Sequence, residues 1–456
     1  MTQFIEDDEQ DSFQEENILL EEDFMPKLSL EYRTQLEKQW VQWSKENSKR
    51  AHTITAEHVK ETLMKDLEFL CTMSSEEYTL YRKFVEIHRE YPYDFKQAEQ
   101  INTFWSTDGP RYPELEPFKN NIWIPDSLQD YKELKPEIIC TNTRPGLVED
   151  WNVLRTFLST MINNANIGRN LYFIIKNKNK YLGVMALSSD FLDLTPRDEY
   201  IGWSRESKTH GRMINHTAIG STIVPTQPLG YNFVGGKLIA LLILSKVVEE
   251  AWNSVYDRTQ MPSKLAGITT TSLYSSFSQY TNLKYWNSLG HSAGSIKFEP
   301  SQETIDIVKQ WLMGYDDNDG KGPGRRFWEW YIATEPGGMP LKRDYKQRSL
   351  SFVYSKLKID KKYFQTNHTR GIYFCPLFNT TKEYLRGEIP TLEEKDRRFD
   401  NSVEALTELW KEKYAVKRID KLVADNRVSN EILFYDDVIK MTWPEVRAKY
   451  LKDVGR

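Results

Sequence analysis

The stretch Tyr231-Asn-Phe-Val-Gly-Gly-Lys237 is the part of this sequence best suited to hold an anion. Glycine lets a backbone come close to a ligand, and the unpaired amides at a helix start carry partial positive charge. A lysine at that start adds a full charge, so a phosphate or pyrophosphate would sit there. Gly230 and Gly235 have the spacing of a GxxxxGK[ST] loop, but Gly236 intervenes and leucine follows Lys237. GxGxxG is not matched either. The simpler alternative is that Gly235 and Gly236 permit close helix–strand packing.

Two other groups invite chemistry. Asp198 could accept a proton or orient a base amine, and Arg197 could hold a phosphate through two parallel hydrogen bonds. The alternative is a structural ion pair. In Thr269-Thr-Thr-Ser272, strand alternation sends Thr269 and Thr271 to one face, where Ser272 and Tyr274 would help line a cleft. Threonine runs are also simply good strand formers. His210, His216 and His291 form no HxxxH or HExxH spacing, so no metal site is expected. No GxSxG elbow supports Ser-His-Asp catalysis. Asp316-Asp-Asn-Asp-Gly320 fails the calcium-loop register, because Tyr315 stands where its first ligand belongs, and reads as a polar turn.

Several elements must position these groups. Residues 137–141 read as a strand and 147–163 as an amphipathic helix, with Val148, Trp151, Leu154, Leu158 and Ile162 three or four apart. Residues 170–188 read as a hairpin around Asn177-Lys-Asn-Lys180. A third strand follows at 221–226, then the glycine-bearing loop 229–237 and a helix from Leu238 to Tyr256 that is apolar nearly all round at its start. A strand at 265–271, a helix over 276–289 ended by Gly290, and a last strand from Ser295 to Phe298 complete the expected core.

The chain has 456 residues, enough for about three domains at roughly 150 residues each. Aromatic residues make up 13%, which excludes wholesale disorder. Cys71, Cys140 and Cys375 are far apart and give neither a zinc spacing nor a disulfide framework, so a reducing cytoplasm is the expected home. The longest strongly apolar run, Leu238 to Leu244, is far short of the about 20 residues a spanning helix needs, so no membrane partner is expected. Residues 1–26 hold ten Asp and Glu and no Lys or Arg, leaving +5 of the net −5 chain on the rest. This acidic arm reads as a solvated, disordered leader, or else as a mask for a basic surface. Residues 27–118 read as an all-α domain, and 400–456 as helical again, with Leu406, Leu409 and Trp410 on one side.

Residues 321–362 carry eleven Lys and Arg against four acids, with aromatics interleaved. Arg325, Arg326, Lys342 and Arg343 would neutralise phosphates and Trp328 would stack on unpaired bases. A solvated charged face is the alternative.

The order of elements resembles that of the GNAT-type N-acyltransferase fold. That likeness implies an α+β mixed-sheet core over 135–300, flanked by the helical N-terminal domain and by a 301–456 region that is basic and aromatic, then helical. In that fold the loop after the fourth strand holds a pyrophosphate through backbone amides. Gln227-Pro-Leu-Gly230-Tyr-Asn232 resembles its Q/R-x-x-G-x-G/A pattern, with Asn232 in the last position. The implied cofactor contacts are Gln227, Gly230, Asn232, Gly235, Gly236 and Lys237, and the cofactor would be an acyl-CoA or a nucleotide.

A second resemblance is to the Druantia DruA family of anti-phage proteins and its phage- and transposon-borne relatives. It rests on Ala186-Leu-Ser-Ser, Arg197-Asp-Glu-Tyr-Ile-Gly-Trp203, Val224-Pro-Thr226, Tyr231 to Leu242, Gly267-Ile-Thr-Thr-Thr-Ser-Leu-Tyr274, Ser278-Gln-Tyr280, Leu289-Gly290, Arg370-Gly-Ile-Tyr373 and Tyr384-Leu-Arg-Gly-Glu388. It covers about residues 135–390 and implies association with DNA and with other proteins of a defence or mobile-element system. Two expectations follow. In one, a transferase modifies or senses DNA, with Asp198, Tyr231 and Tyr274 as catalytic groups and Arg197, Trp203, Thr271 and Ser272 as substrate contacts. In the other, the same core is a non-catalytic DNA-binding or sensing subunit, or a phage-encoded host-takeover factor.

Overall fold

The computed structural model describes residues 38, 42, 54–91, 114–143, 146–162, 168–259, 262–273, 278–292, 298–315, 345–366 and 369–451. The chain divides into two compact units, Met1–Thr72 with Lys297–Thr366 and Met73–Ile296 with Asn367–Arg456.

The described part of the first unit is helical. Helix Ala56–Cys71 starts where the Thr55 side chain accepts from the His58 amide, and it buries Val59, Leu63, Leu67 and Leu70. Those positions recur every three or four residues, the spacing of one helix face. Helix Gln302–Gly314, capped by Ser301, packs on it and buries Ile305, Val308 and Leu312. Helix Tyr345–Lys356 adds Leu350, Val353 and Tyr354, whose ring stacks on Phe364 at 4.4 Å. The expected nucleic-acid contacts Arg325, Arg326, Trp328, Lys342 and Arg343 lie outside the described residues.

The second unit carries a mixed sheet, which makes the chain α+β. Its strands are β1 Glu137–Cys140, β2 Asn170–Asn177, β3 Lys180–Ser189, β4 Thr217–Pro225, β5 Gly267–Ser272, β6 Asn287–His291 and β7 Gly371–Pro376. Their spatial order is β1-β2-β3-β4-β5-β7-β6. All neighbours are antiparallel except β4 and β5, which run parallel. The β2–β3 hairpin forms as the Asn-rich turn predicts, with Lys178 left-handed at φ 58°.

Helices cover both faces of the sheet, so β3 is buried along nearly its whole length. Leu171, Phe173 and Ile175 of β2 face one core, with Leu238 to Leu244 and Trp252. Ile174 faces the other, with Trp151, Leu154 and Phe157 of helix Leu147–Leu158 and with Leu80 and Ile87 of helix Ser75–Glu90. A buried charge group ties the last two helices together: Glu86 accepts from Lys83 at 2.7 Å and from Arg155 at 2.6 Å.

Local structure departs from the sequence reading in three places. The expected loop 229–237 is a helical turn, Leu229–Phe233, joined through left-handed Val234 to a helix that already begins at Gly235. The expected helix 238–256 breaks into Gly235–Leu242 and Lys246–Tyr256. Asn401 stabilises the break, accepting from the Lys246 amide at 2.8 Å and donating to the Leu244 carbonyl at 3.4 Å.

The expected helix 276–289 is absent among the described residues. Asn282 and Tyr285 take left-handed φ values of 55° and 78°, which interrupt a helix, and 287–291 form β6. Residues 293–297 of the expected last strand lie outside the described residues. The strand between β5 and β6 comes instead from 371–376, a pairing that no local periodicity encodes.

Candidate functional site

The parallel pair β4–β5 is short. Thr217, Ala218 and Ile219 pair with Gly267, Ile268 and Thr269, and beyond them the strands no longer pair. The β4 carbonyls past that point need other donors, because unpaired buried backbone groups are costly. Thr270 Oγ1 donates to the Gly220 carbonyl at 2.9 Å, and Gln279 Nε2 donates to the Ile223 carbonyl at 3.0 Å. Gln279 Nε2 also reaches the Tyr280 hydroxyl at 3.0 Å, and Ser278 Oγ donates to the Tyr373 hydroxyl at 2.8 Å. Residues 278–281 thus form a wedge bonded to β4, β5 and β7.

The glycine-bearing stretch faces that wedge. A Cβ on Gly236 would stand 2.3 Å from Gln279 Oε1, and one on Gly235 would stand 2.6 Å from the Leu229 side chain. Both glycines are close-packing positions here. Lys237 Nζ donates to the Gln279 carbonyl at 3.0 Å and to the Thr281 carbonyl, and lies 5.3 Å over the Tyr414 ring. Gln227 Oε1 accepts from the Tyr231 amide at 2.7 Å, and the Gly230 amide donates to the Thr226 carbonyl at 2.8 Å. Asn232 is fully buried and bonds both backbone groups of Ser429. Tyr231 is exposed, with Arg418 5.0 Å from its ring. The six expected cofactor residues come together, and their polar groups are largely engaged within the protein.

Burial lowers the Lys237 pKa to about 8 from its ordinary 10.5. Between those values the unfolded chain holds a proton that the folded chain has released. Stability therefore rises with pH from about 8 toward 10.5. Urea midpoints measured across that window are expected to rise more in the native chain than in Lys237→Met. Parallel profiles would show that Lys237 titrates normally.

The expected substrate and catalytic residues Arg197, Asp198 and Trp203 meet in a second cluster. Helix Thr195–Ile201 places Arg197 beneath the surface, fully buried. It pairs with buried Asp190 at 2.8 Å, bonds Asp198 at 2.6 Å, and stands 5.1 Å from the Trp203 ring. Lys208 takes the other Asp198 oxygen at 2.8 Å and also Asp193 at 2.7 Å. Trp203 Nε1 donates to the Leu385 carbonyl at 2.6 Å. The link to β5 runs through Thr269, which donates to Asp190 at 2.7 Å. Thr271 is half-buried, Ser272 is buried, and Tyr274 lies outside the described residues. No hydrogen bond or ion pair joins this cluster to residues 227–237 among the described residues.

His216 is a satisfied core residue: its Nδ1 sits 3.0 Å from the Lys264 carbonyl and 3.1 Å from the Tyr384 hydroxyl, and burial lowers its pKa. The sequence reading did not single out the cavity of about 340 Å³ at Tyr280, Trp286, Ser288, His291 and Tyr373. Its walls come from the wedge, β6 and β7, which are far apart in sequence. Among the described residues no three His, Cys, Asp or Glu cluster as metal ligands, and no helix is long and apolar enough to cross a membrane.

The Druantia protein DruA family matches residues 149–387. A curated relative, the Druantia protein DruA of Escherichia coli (strain UMEA 4076-1), is 28% identical over 167 residues. That alignment covers 34% of this chain and 41% of the relative. No solved structure matches the chain. The family match takes in β2 to β7, the wedge, the glycine-bearing stretch and the Arg197 cluster, and spans just over half of the sequence. The chain belongs to the Druantia protein DruA family.

Proposed function

We propose that this chain is a DNA-associated sensing subunit of an anti-phage system, built on an acyltransferase-like sheet that it does not use for an acyl-transfer cofactor. The observation that carries this reading is the seat of Gln279. Its amide occupies the β4 carbonyl at the strand opening, and its Oε1 fills the space over Gly236. Lys237, the one cation of that stretch, spends its donors on two wedge carbonyls. A pyrophosphate there would have to displace all of these contacts. DNA association is supported by the family's link to phage defence and by the positive charge of 321–362. Other proteins of the same system are the expected partners.

One observation favours a second reading. The fourth strand leads into a glycine-bearing turn and a buried helix, the layout that resembles GNAT-type N-acyltransferases. An acyl-CoA or nucleotide would then bind at 227–237 once the wedge moves, with Asp198 as the proton acceptor.

Thermal shift at fixed salt separates the two. A ligand that binds only the folded state at 100 times its dissociation constant adds about 2.7 kcal/mol of stability. Short DNA is expected to raise the melting temperature and acetyl-coenzyme A to leave it unchanged. A shift with the coenzyme would establish the second reading in place of the first.

A further inference from the structure

The cavity of about 340 Å³ has a fixed aromatic floor. Tyr280, Trp286 and Tyr373 are each under a tenth exposed, with the Tyr280 ring centroid 5.6 Å from Trp286 and 5.1 Å from Tyr373. Hydrogen bonds hold all three in place. The Tyr280 hydroxyl accepts from Gln279 and donates to Thr270 Oγ1, the Tyr373 hydroxyl accepts from Ser278, and Trp286 Nε1 donates to the Ala240 carbonyl at 2.9 Å. The rim carries Asn282, Ser288 and His291, groups that donate and accept. Gly290 on that rim is left-handed at φ 91°, with nothing within 4 Å of a Cβ position.

We propose that this cavity is a nucleobase site, in which the aromatic floor stacks on the base and the rim bonds its edge. The inference rests on the DNA-association reading and names where a base is held. A rigid aromatic floor suits any base, because every base has a π face, and stacking contributes about 1–3 kcal/mol per base. Edge contacts from amide, hydroxyl and imidazole groups would add discrimination. The volume lies at the small end of ligand sites, about 300–1,000 Å³. A free nucleotide and an unpaired base of a strand share this chemistry.

The test uses the full chain with three probes: deoxyadenosine, deoxyadenosine monophosphate and a short labelled single strand. Ser288→Phe fills the rim from an exposed position and is expected to weaken the monophosphate and the strand about tenfold or more. Should Ser288→Phe fold poorly, Asn282→Asp places an anion on the rim at a left-handed residue that Asp tolerates, and the same loss of phosphorylated ligands is expected. Unchanged strand binding in a folded rim variant overturns the cavity while DNA association stands. Rim-sensitive binding of the monophosphate without strand binding keeps the cavity and removes DNA association. Binding of no probe by the native chain overturns both.

Discussion

Replacing Arg197 by methionine is expected to destabilise the sheet-bearing unit by about 3–5 kcal/mol, the usual cost of removing one partner from a buried ion pair. Arg197 is fully buried and is the cation to which both Asp190 and Asp198 turn. Methionine fills much of the volume but leaves the Asp190 carboxylate buried with neutral donors, Thr269 and the Phe191 amide, in place of its cation, while Asp198 keeps Lys208. The larger part of the loss therefore comes from Asp190. Urea unfolding followed by tryptophan fluorescence would read it as a lower midpoint.

Two controls sharpen this prediction. Arg197→Lys is expected to restore only part of the stability, since a single ammonium cannot bridge two carboxylates as the guanidinium fork does. Asp190→Asn in the Arg197→Met background is expected to recover stability, because the stranded charge is gone. A native midpoint in Arg197→Met would show that the cluster holds nothing together.

The second large effect is expected at Gly236. Aspartate there gains about 0.3–1 kcal/mol from a helix N-terminus. Against that, any side chain collides with Gln279 Oε1, and overpacking costs about 1–3 kcal/mol. Gln279 cannot swing away freely, because its Nε2 bonds the Ile223 carbonyl and the Tyr280 hydroxyl. A buried carboxylate facing an amide oxygen adds a further penalty. The sum is a loss of about 3 kcal/mol or more before any ligand is added.

Gly236→Ala separates packing from anion binding. The wedge geometry predicts that alanine alone lowers the urea midpoint. An anion cradle predicts a midpoint unchanged from the native chain and a loss of ligand binding only.

Much of the framework was legible because it is local. The β2–β3 hairpin follows from two apolar runs around an Asn-rich turn, and helix Leu147–Leu158 follows from its spacing. The residue sets were legible as sets too: Arg197, Asp198 and Trp203 do meet, and so do residues 227–237. Their company was not. Asp190 and Lys208 complete the first set from either side of helix Thr195–Ile201. Gln279 completes the second from 42 residues beyond Lys237.

The sequence by itself determined the family, through several motifs in order, and the α+β class, through the resemblance that its order of elements carries. The tertiary structure decided what those motifs face. It drew β7 from residues 371–376 into the sheet between β5 and β6, and it turned an apparent helix at 276–289 into a wedge and a strand. Both outcomes depend on backbone groups finding partners at a strand opening. That requirement is set by how β4 and β5 part in space, and no spacing along the chain records it.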